Sequence, residues 1–253
     1  MFLQERHHKI LELLQTQKRI IVTDLSKQLH VSVDTIRRDL TQLEAQNLLI
    51  RTFGGAILPN SLNTCPSFEI RKELHKVDKE YIGKLAFNQI KENDTVFIDG
   101  STTSLSLLPY LEHMKKLTIV TNSIEVISSA LEINEGLNLY MIGGTILNSI
   151  SSTIGNEALL KLSELRVDKA FISTSGFNAE GLFGNDFNEV AFKKMLIKNS
   201  SLVYFLLDSS KYNKSGSILL SKYDGSFKII CDSKLSSAHK SELERICQGI
   251  LIY

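Results

Sequence analysis

The chain has few of the residues that cross-link or interrupt a fold. Its three cysteines, Cys65, Cys231 and Cys247, are spread over 253 residues. Their spacing matches neither a zinc pattern nor a disulfide framework, and an odd number suits a reducing compartment. They are expected to be small buried hydrophobes; no metal site and no cofactor are read from the sequence. There are three prolines, and two of them, Pro59 and Pro66, fall in one polar stretch. The longest apolar run, residues 202–207, is far short of the roughly 20 residues that a membrane helix needs. The opening nine residues lack the apolar centre of a signal peptide. A cytoplasmic protein with no membrane partner is expected. Excess charge is missing too. The formal net charge is +1, so any surface for a polyanion must be local.

What is present falls into two parts. In residues 1–60, eight basic side chains face six acidic ones, so position matters more than total. Leu3, His7, Ile10, Leu11 and Leu14 recur at helical spacing. Residues 20–22 form a brief β-favouring interruption. Thr23 is placed to cap a second helix through Leu29, and Ser32 a third helix to about Ala45. On that third helix Val33, Ile36, Leu40 and Leu43 make an inward stripe. Asp34, Thr35, Arg37 and Arg38 occupy the rest of its first two turns. Hydroxyls and a helix N-terminus suit phosphate, and arginine suits guanine O6 and N7. Two β-like runs within 48–57 flank Gly54-Gly55 and read as a hairpin, with Arg51 pointing to solvent or to a nucleic-acid backbone. A helix, a short capped helix, a tight turn, a capped basic helix and a hairpin, in that order, form a winged helix-turn-helix. Its expected partner is double-stranded DNA, contacted through Ser32, Asp34, Thr35, Arg37, Arg38, Arg51 and Gly54.

Residues 59–67 are the natural linker, and 68–79 read as a charged helical lead-in to a second domain. The expected division is 1–58, a linker and lead-in over 59–77, and 78–253. In the last part, strand-like runs at 95–99, 117–121, 137–142, 169–173, 202–208, 227–231 and 249–253 alternate with helical stretches. These stretches are 78–91, 103–113, 123–132, 156–165, 188–199 and 238–247. Such alternation predicts a doubly wound, mostly parallel α/β sheet. The whole is an α/β multidomain chain.

Ligands of open α/β sheets bind beyond the carboxyl ends of the strands. Here those ends carry Asp99-Gly100-Ser101-Thr102-Thr103, Thr121-Asn122-Ser123, Gly143-Gly144-Thr145, Ser173-Thr174-Ser175-Gly176 and Asp208-Ser209-Ser210-Lys211. Glycines and hydroxyls at a helix start suit an oxyanion, which marks 100–104 as a phosphate cradle. Asp99 and Asn122 are placed to read hydroxyls of a polyol or sugar. Gly144 belongs to the same set. Asp186, Glu189 and Lys193 form a second cluster. Glu189 and Lys193 share a helix face, either as a surface ion pair or with Lys193 on a ligand; Lys211 carries the same two readings.

Val31-Ser32-Val33-Asp34-Thr35-Ile36-Arg37-Arg38-Asp39-Leu40 and Gly54-Gly55-Ala56, followed in order by the strand-end segments above, Val167-Asp168-Lys169-Ala170-Phe171 and Asp208 to Tyr212, resemble the DeoR family of sugar-metabolism repressors over nearly the whole chain. The resemblance implies a repressor controlled by a phosphorylated sugar or sugar derivative. It also implies a sensor domain similar in fold to ribose-5-phosphate isomerase, and assembly as a homodimer or homotetramer. The sequence departs from the family at Ser175, where an acidic residue is usual, and at Gly181 to Asp186, which lacks the usual Thr-Thr-Pro run. Related isomerases use carboxylates near that position, so no catalytic residue is assigned and the chain is expected not to be an enzyme. A sugar-phosphate isomerase remains the rival reading. A DNA-binding protein whose second domain only oligomerises is the third.

Overall fold

The computed structural model describes residues 2–46, 48–58, 68–247 and 251–252. The linker at 59–67, with Cys65, lies outside them, as do residues 249, 250 and 253 of the last expected strand. Two compact units divide the chain, Met1–Lys76 and Val77–Tyr253. The first contains α1 (Leu3–Gln17), β1 (Arg19–Ile21), α2 (Val22–Leu29), α3 (Val33–Ala45), β2 (Ile50–Thr52), β3 (Gly55–Ile57) and α4 (Phe68–Glu73). The second runs from α5 (Lys76–Phe87) through β4 (Thr95–Ile98), α6 (Thr102–Leu105), β5 (Thr118–Thr121), α7 (Ile124–Ile133) and β6 (Asn138–Met141). It continues with β7 (Thr145–Leu147), β8 (Ser152–Ile154), α8 (Asn156–Glu164), β9 (Val167–Ile172), β10 (Gly176–Asn178), β11 (Gly181–Gly184) and α9 (Phe187–Asn199). Then come β12 (Ser200–Leu207), β13 (Ile218–Ser221), β14 (Lys228–Cys231), α10 (Ser237–Cys247) and β15 (Leu251–Ile252).

In the first unit, β3 lies between β1 and β2 in an antiparallel sheet. Ile10, Leu14, Leu25, Ile36, Leu40 and Leu43 close one core beneath it. Val33 is only partly buried. The inward face of α3 instead carries a charge, Asp39, 2% exposed. Arg6 on α1 grips that carboxylate with two bonds, Nε to Oδ2 at 2.5 Å and Nη2 to Oδ1 at 2.9 Å. The hydrogen bond to Asp39, opposed by burial and aided by the carboxylate charge, raises the Arg6 pKa. This fork orients α3 against α1.

Three local expectations change. Thr23 is not a cap: α2 already begins at Val22, and Ile21 precedes it without a side-chain cap bond. The Val22 N–H is met by the Gly54 carbonyl at 2.9 Å, so the hairpin does the capping. The turn of that hairpin is Phe53-Gly54 rather than Gly54-Gly55, because Thr52 pairs with Gly55. Gly55 is needed for closeness: a Cβ there would sit 2.0 Å from the Ile20 carbonyl oxygen. The lead-in at 68–79 is two helices, and Ile70 and Leu74 pack into the core of the first unit, not the second.

The second unit is built on seven strands in the order β15-β14-β12-β9-β4-β5-β6, every pair parallel. Side chains alternate between two cores. Phe97, Ala170, Ile172, Val203 and Phe205 face α8, α9 and α10. Val96, Ile98, Phe171, Tyr204 and Leu206 face α5 and α7. All seven predicted runs are in this sheet. The stretch expected to be one helix over 103–113 is a single turn, α6, then a 3-10 turn at Leu108–Leu111 with Pro109 at its start. Proline lacks the N–H that a continuing helix would use. Two small antiparallel sheets, β7-β8 and β10-β11-β13, were not foreseen. Cys231 is free and fully buried, and burial, with Asp232 and Asp208 nearby, pushes its thiol pKa up.

Removing one partner of a buried ion pair leaves a bare charge. Arg6→Met is expected to destabilise the protein by about 3 kcal/mol, and Arg6→Met with Asp39→Leu to recover most of that loss. Urea unfolding followed by far-ultraviolet circular dichroism measures both; a single variant within about 0.5 kcal/mol of wild type would refute the role given to the pair.

Candidate functional site

One polar surface forms around α3. Ser32 caps the helix through Oγ, which accepts from the Thr35 N–H at 3.1 Å and lies 2.8 Å from the Thr35 hydroxyl. Ile36, Leu40 and Leu43 are buried, while Asp34, Arg37 and Arg38 are exposed. Arg37 leans on Asp34 at 3.2 Å. Arg51 is exposed as expected, yet it is not loose. Its Nη1 donates to Thr41 Oγ1 at 2.7 Å, and its backbone N–H donates to Glu44 Oε1 at 2.9 Å. The Thr41 hydroxyl in turn donates to the Arg37 carbonyl at 2.8 Å. The hairpin is therefore stitched to α3. Thr41 and Glu44 went unnoticed in the sequence because nothing local says which hairpin residue a helix will meet. Gly54 occupies the turn with φ 82°, a conformation that favours glycine.

A second polar surface lies where the winding of the large sheet reverses. From β4 the chain proceeds to β5 and β6 on one side, then returns to β9 on the other, so a switch point separates β4 from β9. Asp99 follows β4 and Ser173 follows β9. The buried Asp99 carboxylate bridges them: Oδ1 accepts from the Ser101 N–H at 3.1 Å and Oδ2 from the Ser173 N–H at 2.9 Å. Lys193, rising from α9, donates to the Ser173 carbonyl at 2.7 Å and to Glu189 Oε1 at 2.5 Å, and lies 3.4 Å from Asp99 Oδ2. Burial alone would lower the Lys193 pKa, but the charges of Glu189 and Asp99 outweigh it and hold the pKa above the ordinary lysine value. This is a buried hub rather than the surface pair that spacing alone allowed. Asp186 caps α9 by accepting from the Glu189 N–H at 2.8 Å. Lys211 Nζ donates to Ser173 Oγ at 2.7 Å and lies 3.9 Å from Asp208.

The cradle segment stands beside this hub. Ser101 caps α6, taking the Ser104 N–H at 3.0 Å. Gly100 is pressed against hydroxyls from two other segments: a Cβ would lie 2.5 Å from Ser152 Oγ and 2.8 Å from Ser123 Oγ. Thr102 and Thr103 are buried, and Thr103 Oγ1 has no hydrogen-bond partner among the described residues. Gly144, at φ 143°, lies against the Ile154 carbonyl and Ala158. Two expected hydroxyl readers are otherwise engaged. Asn122 Nδ2 donates to the Thr153 carbonyl at 2.8 Å, which ties β5 to β8, and both Asp99 oxygens serve the switch point. The structure thus brings Asp99, Glu189, Lys193 and Lys211 into one network and sets 100–104, Asn122 and the β7-β8 hairpin beside one another. Ser152 and Thr153 were missed, since that hairpin carries no turn dipeptide strong enough to announce it. Ser175 is exposed, and its N–H is met by the Phe183 carbonyl at 3.1 Å.

Two family models match the chain. The DeoR-like helix-turn-helix domain matches residues 6–62 and the DeoR C terminal sensor domain residues 74–233. The glycerol-3-phosphate regulon repressor of Escherichia coli is 34% identical over 215 residues, 85% of this chain and 84% of that protein. The HTH-type transcriptional repressor GlcR of Bacillus subtilis is 35% identical over 211 residues, 83% of this chain and 81% of that protein. Among solved structures, ribose 5-phosphate isomerase from Plasmodium falciparum matches 55% of this chain and 54% of its own at 16% identity and a TM-score of 0.40. The chain belongs to the DeoR family of helix-turn-helix transcriptional regulators.

Proposed function

We propose that this regulator represses a carbohydrate-utilisation operon from the cytoplasm and responds to a phosphorylated sugar or sugar derivative. Residues 1–58 are its DNA reader, and 78–253 its sensor and the body that assembles into a homodimer or homotetramer. The observation that carries the reading is α3: capped by Ser32, packed on one face, and presenting Arg37 and Arg38 on the other with a hairpin stitched alongside. Ser32, Thr35 and the first N–H groups of α3 meet phosphates. Asp34 steadies Arg37, and Arg37 with Arg38 reads base edges in the major groove. Arg51 and Gly54 set the wing against the backbone.

In the sensor, the ligand phosphate rests on the N–H groups of Thr102 and Thr103 and the Thr103 hydroxyl, with Lys211 as the nearby cation. Gly100 and Gly144 let the backbone close around it, and Asp99, Asn122, Glu189 and Lys193 hold the surrounding walls in place. The signal leaves through α5, the first helix of the sensor. Ser106 Oγ donates to the Lys79 and Thr103 carbonyls, both at 2.6 Å. Gly83 is packed so closely that a Cβ would meet the Ser106 carbonyl at 2.3 Å. A ligand that shifts 101–106 therefore shifts α5, and unequal affinity for the two arrangements is what couples sugar to DNA. The isomerase reading is disfavoured chemically: Ser175 offers no carboxylate, and Lys193 is held protonated by two carboxylates, so it is no base.

Two measurements test this. The Arg37→Ala, Arg38→Ala pair should bind a duplex enriched by the wild-type protein at least about 30-fold more weakly, since each lost base contact costs about 1–3 kcal/mol. Unchanged affinity would remove these residues from the reader. In a thermal-shift panel of phosphorylated sugars and polyols, a ligand at 100 times its Kd adds about 2.7 kcal/mol of apparent stability; Lys211→Met should abolish the shift. A panel without a hit would leave the sensor as an assembly domain only.

A further inference from the structure

Phe53, at the tip of the wing, is the most exposed large apolar side chain among the described residues, at 105%. Neither folding nor turn chemistry explains it. Its ring is buried against nothing in the first unit. In the Phe53-Gly54 turn, the positive φ falls on Gly54, and the position before it ordinarily takes proline or a small polar residue. A solvated phenylalanine forgoes the stabilisation that burial of its ring would bring.

The arm that carries Phe53 is rigid. Gly54 is tied by its carbonyl to the start of α2, Gly55 is wedged against Ile20, and Arg51, two residues before the ring, is bonded to Thr41 and Glu44 of α3. The ring is thus presented at a fixed position relative to the helix assigned to the major groove. Arg51, two residues away, and Arg37 of α3 are paired with Glu44 and Asp34, yet both stay exposed, as does Arg38; such guanidinium groups suit a polyanion rather than a second apolar surface.

Resting on the DNA-binding reading above, we propose that Phe53 is an apolar wedge that enters the minor groove next to the bases read by α3. Proteins of the minor groove use such side chains against sugar walls and between base steps, which they partly unstack. Arg51 then acts mainly as a positioning residue, aiming the ring through α3. Flexible pyrimidine–purine steps should be favoured where the ring enters, because they unstack most easily.

The test uses the full chain and a duplex enriched from a random pool by the wild-type protein. Phe53→Ser and Phe53→Ala should keep the wild-type thermal midpoint, since the ring is fully exposed, and should bind about tenfold more weakly; Phe53→Leu should retain most of the affinity. The salt dependence of binding should be unchanged in Phe53→Ser, because no phosphate contact is lost, whereas Arg38→Ala should have a different affinity for the central bases. Re-enrichment with Phe53→Ser should keep the central sequence and lose preference at the flanking steps. Wild-type affinity and flanks in Phe53→Ser would overturn the wedge, as would a shallower salt slope, which would mean that a backbone contact had been lost instead. A change in the sedimentation of Phe53→Ser without DNA would show that a second copy of the chain covers the ring, and would overturn it too. If the wild-type protein enriches no sequence, the DNA reader itself fails and the wedge falls with it.

Discussion

The carboxylate of Asp99 holds the sensor together at the place where its topology is weakest. Parallel strands end in N–H groups that the ladder no longer satisfies, and between β4 and β9 the chain leaves the sheet in opposite directions. Asp99 takes an N–H from each side, Ser101 and Ser173. A buried anion needs a cation, and Lys193 supplies it. Lys193 needs further partners, which Glu189 and the Ser173 carbonyl provide. Lys193 thus serves two carboxylates, the buried Asp99 and the partly exposed Glu189, and buried polar groups with their partners in place stabilise rather than weaken a core.

That closure shapes what the sensor offers a ligand. Lys193 and the two Asp99 oxygens are committed to the protein, which is why the proposed phosphate site is built on the groups around them, the start of α6 and the Thr103 hydroxyl. The α6 segment also contacts α5, through Ser106 on the Lys79 carbonyl and against Gly83. The binding and transmission proposed above therefore share a few residues at the carboxyl ends of the central strands of a stiff sheet. Stiffness matters here, because packed interiors switch between discrete arrangements rather than deform smoothly.

The reader unit solves a similar problem at smaller scale. With a three-stranded sheet and four helices it has little core to spare, and two polar stitches do what packing alone does elsewhere. The Arg6–Asp39 fork sets α3 against α1, and Arg51 with Thr41 and Glu44 sets the wing against α3. Both stitches act on α3, so the pose of its exposed face is determined from within the unit.

Much of this was legible from residues in order. The inner strands of the large sheet announced themselves because a strand buried on both faces must be nearly continuous in apolar residues, as in Val203 to Leu207. The Ser32 cap was visible because capping is local: the hydroxyl and its N–H partner are three residues apart. Arg37 and Arg38 stood out as outward positions on a helix whose inward stripe was clear. Partners distant in sequence were not legible. Nothing in 117–123 says that Asn122 will spend its amide on Thr153, 31 residues on, and nothing in 99–104 says that Asp99 will meet Ser173. Thr23 looked like a cap until the Gly54 carbonyl took its place. The sequence by itself determined the strands of the large sheet, the two-part grammar and the outward positions of α3, because those follow from periodicity and local bonding. Only the tertiary structure decided which polar groups remain available to a ligand, because each buried donor or charge must find its partner across the fold before any is left over.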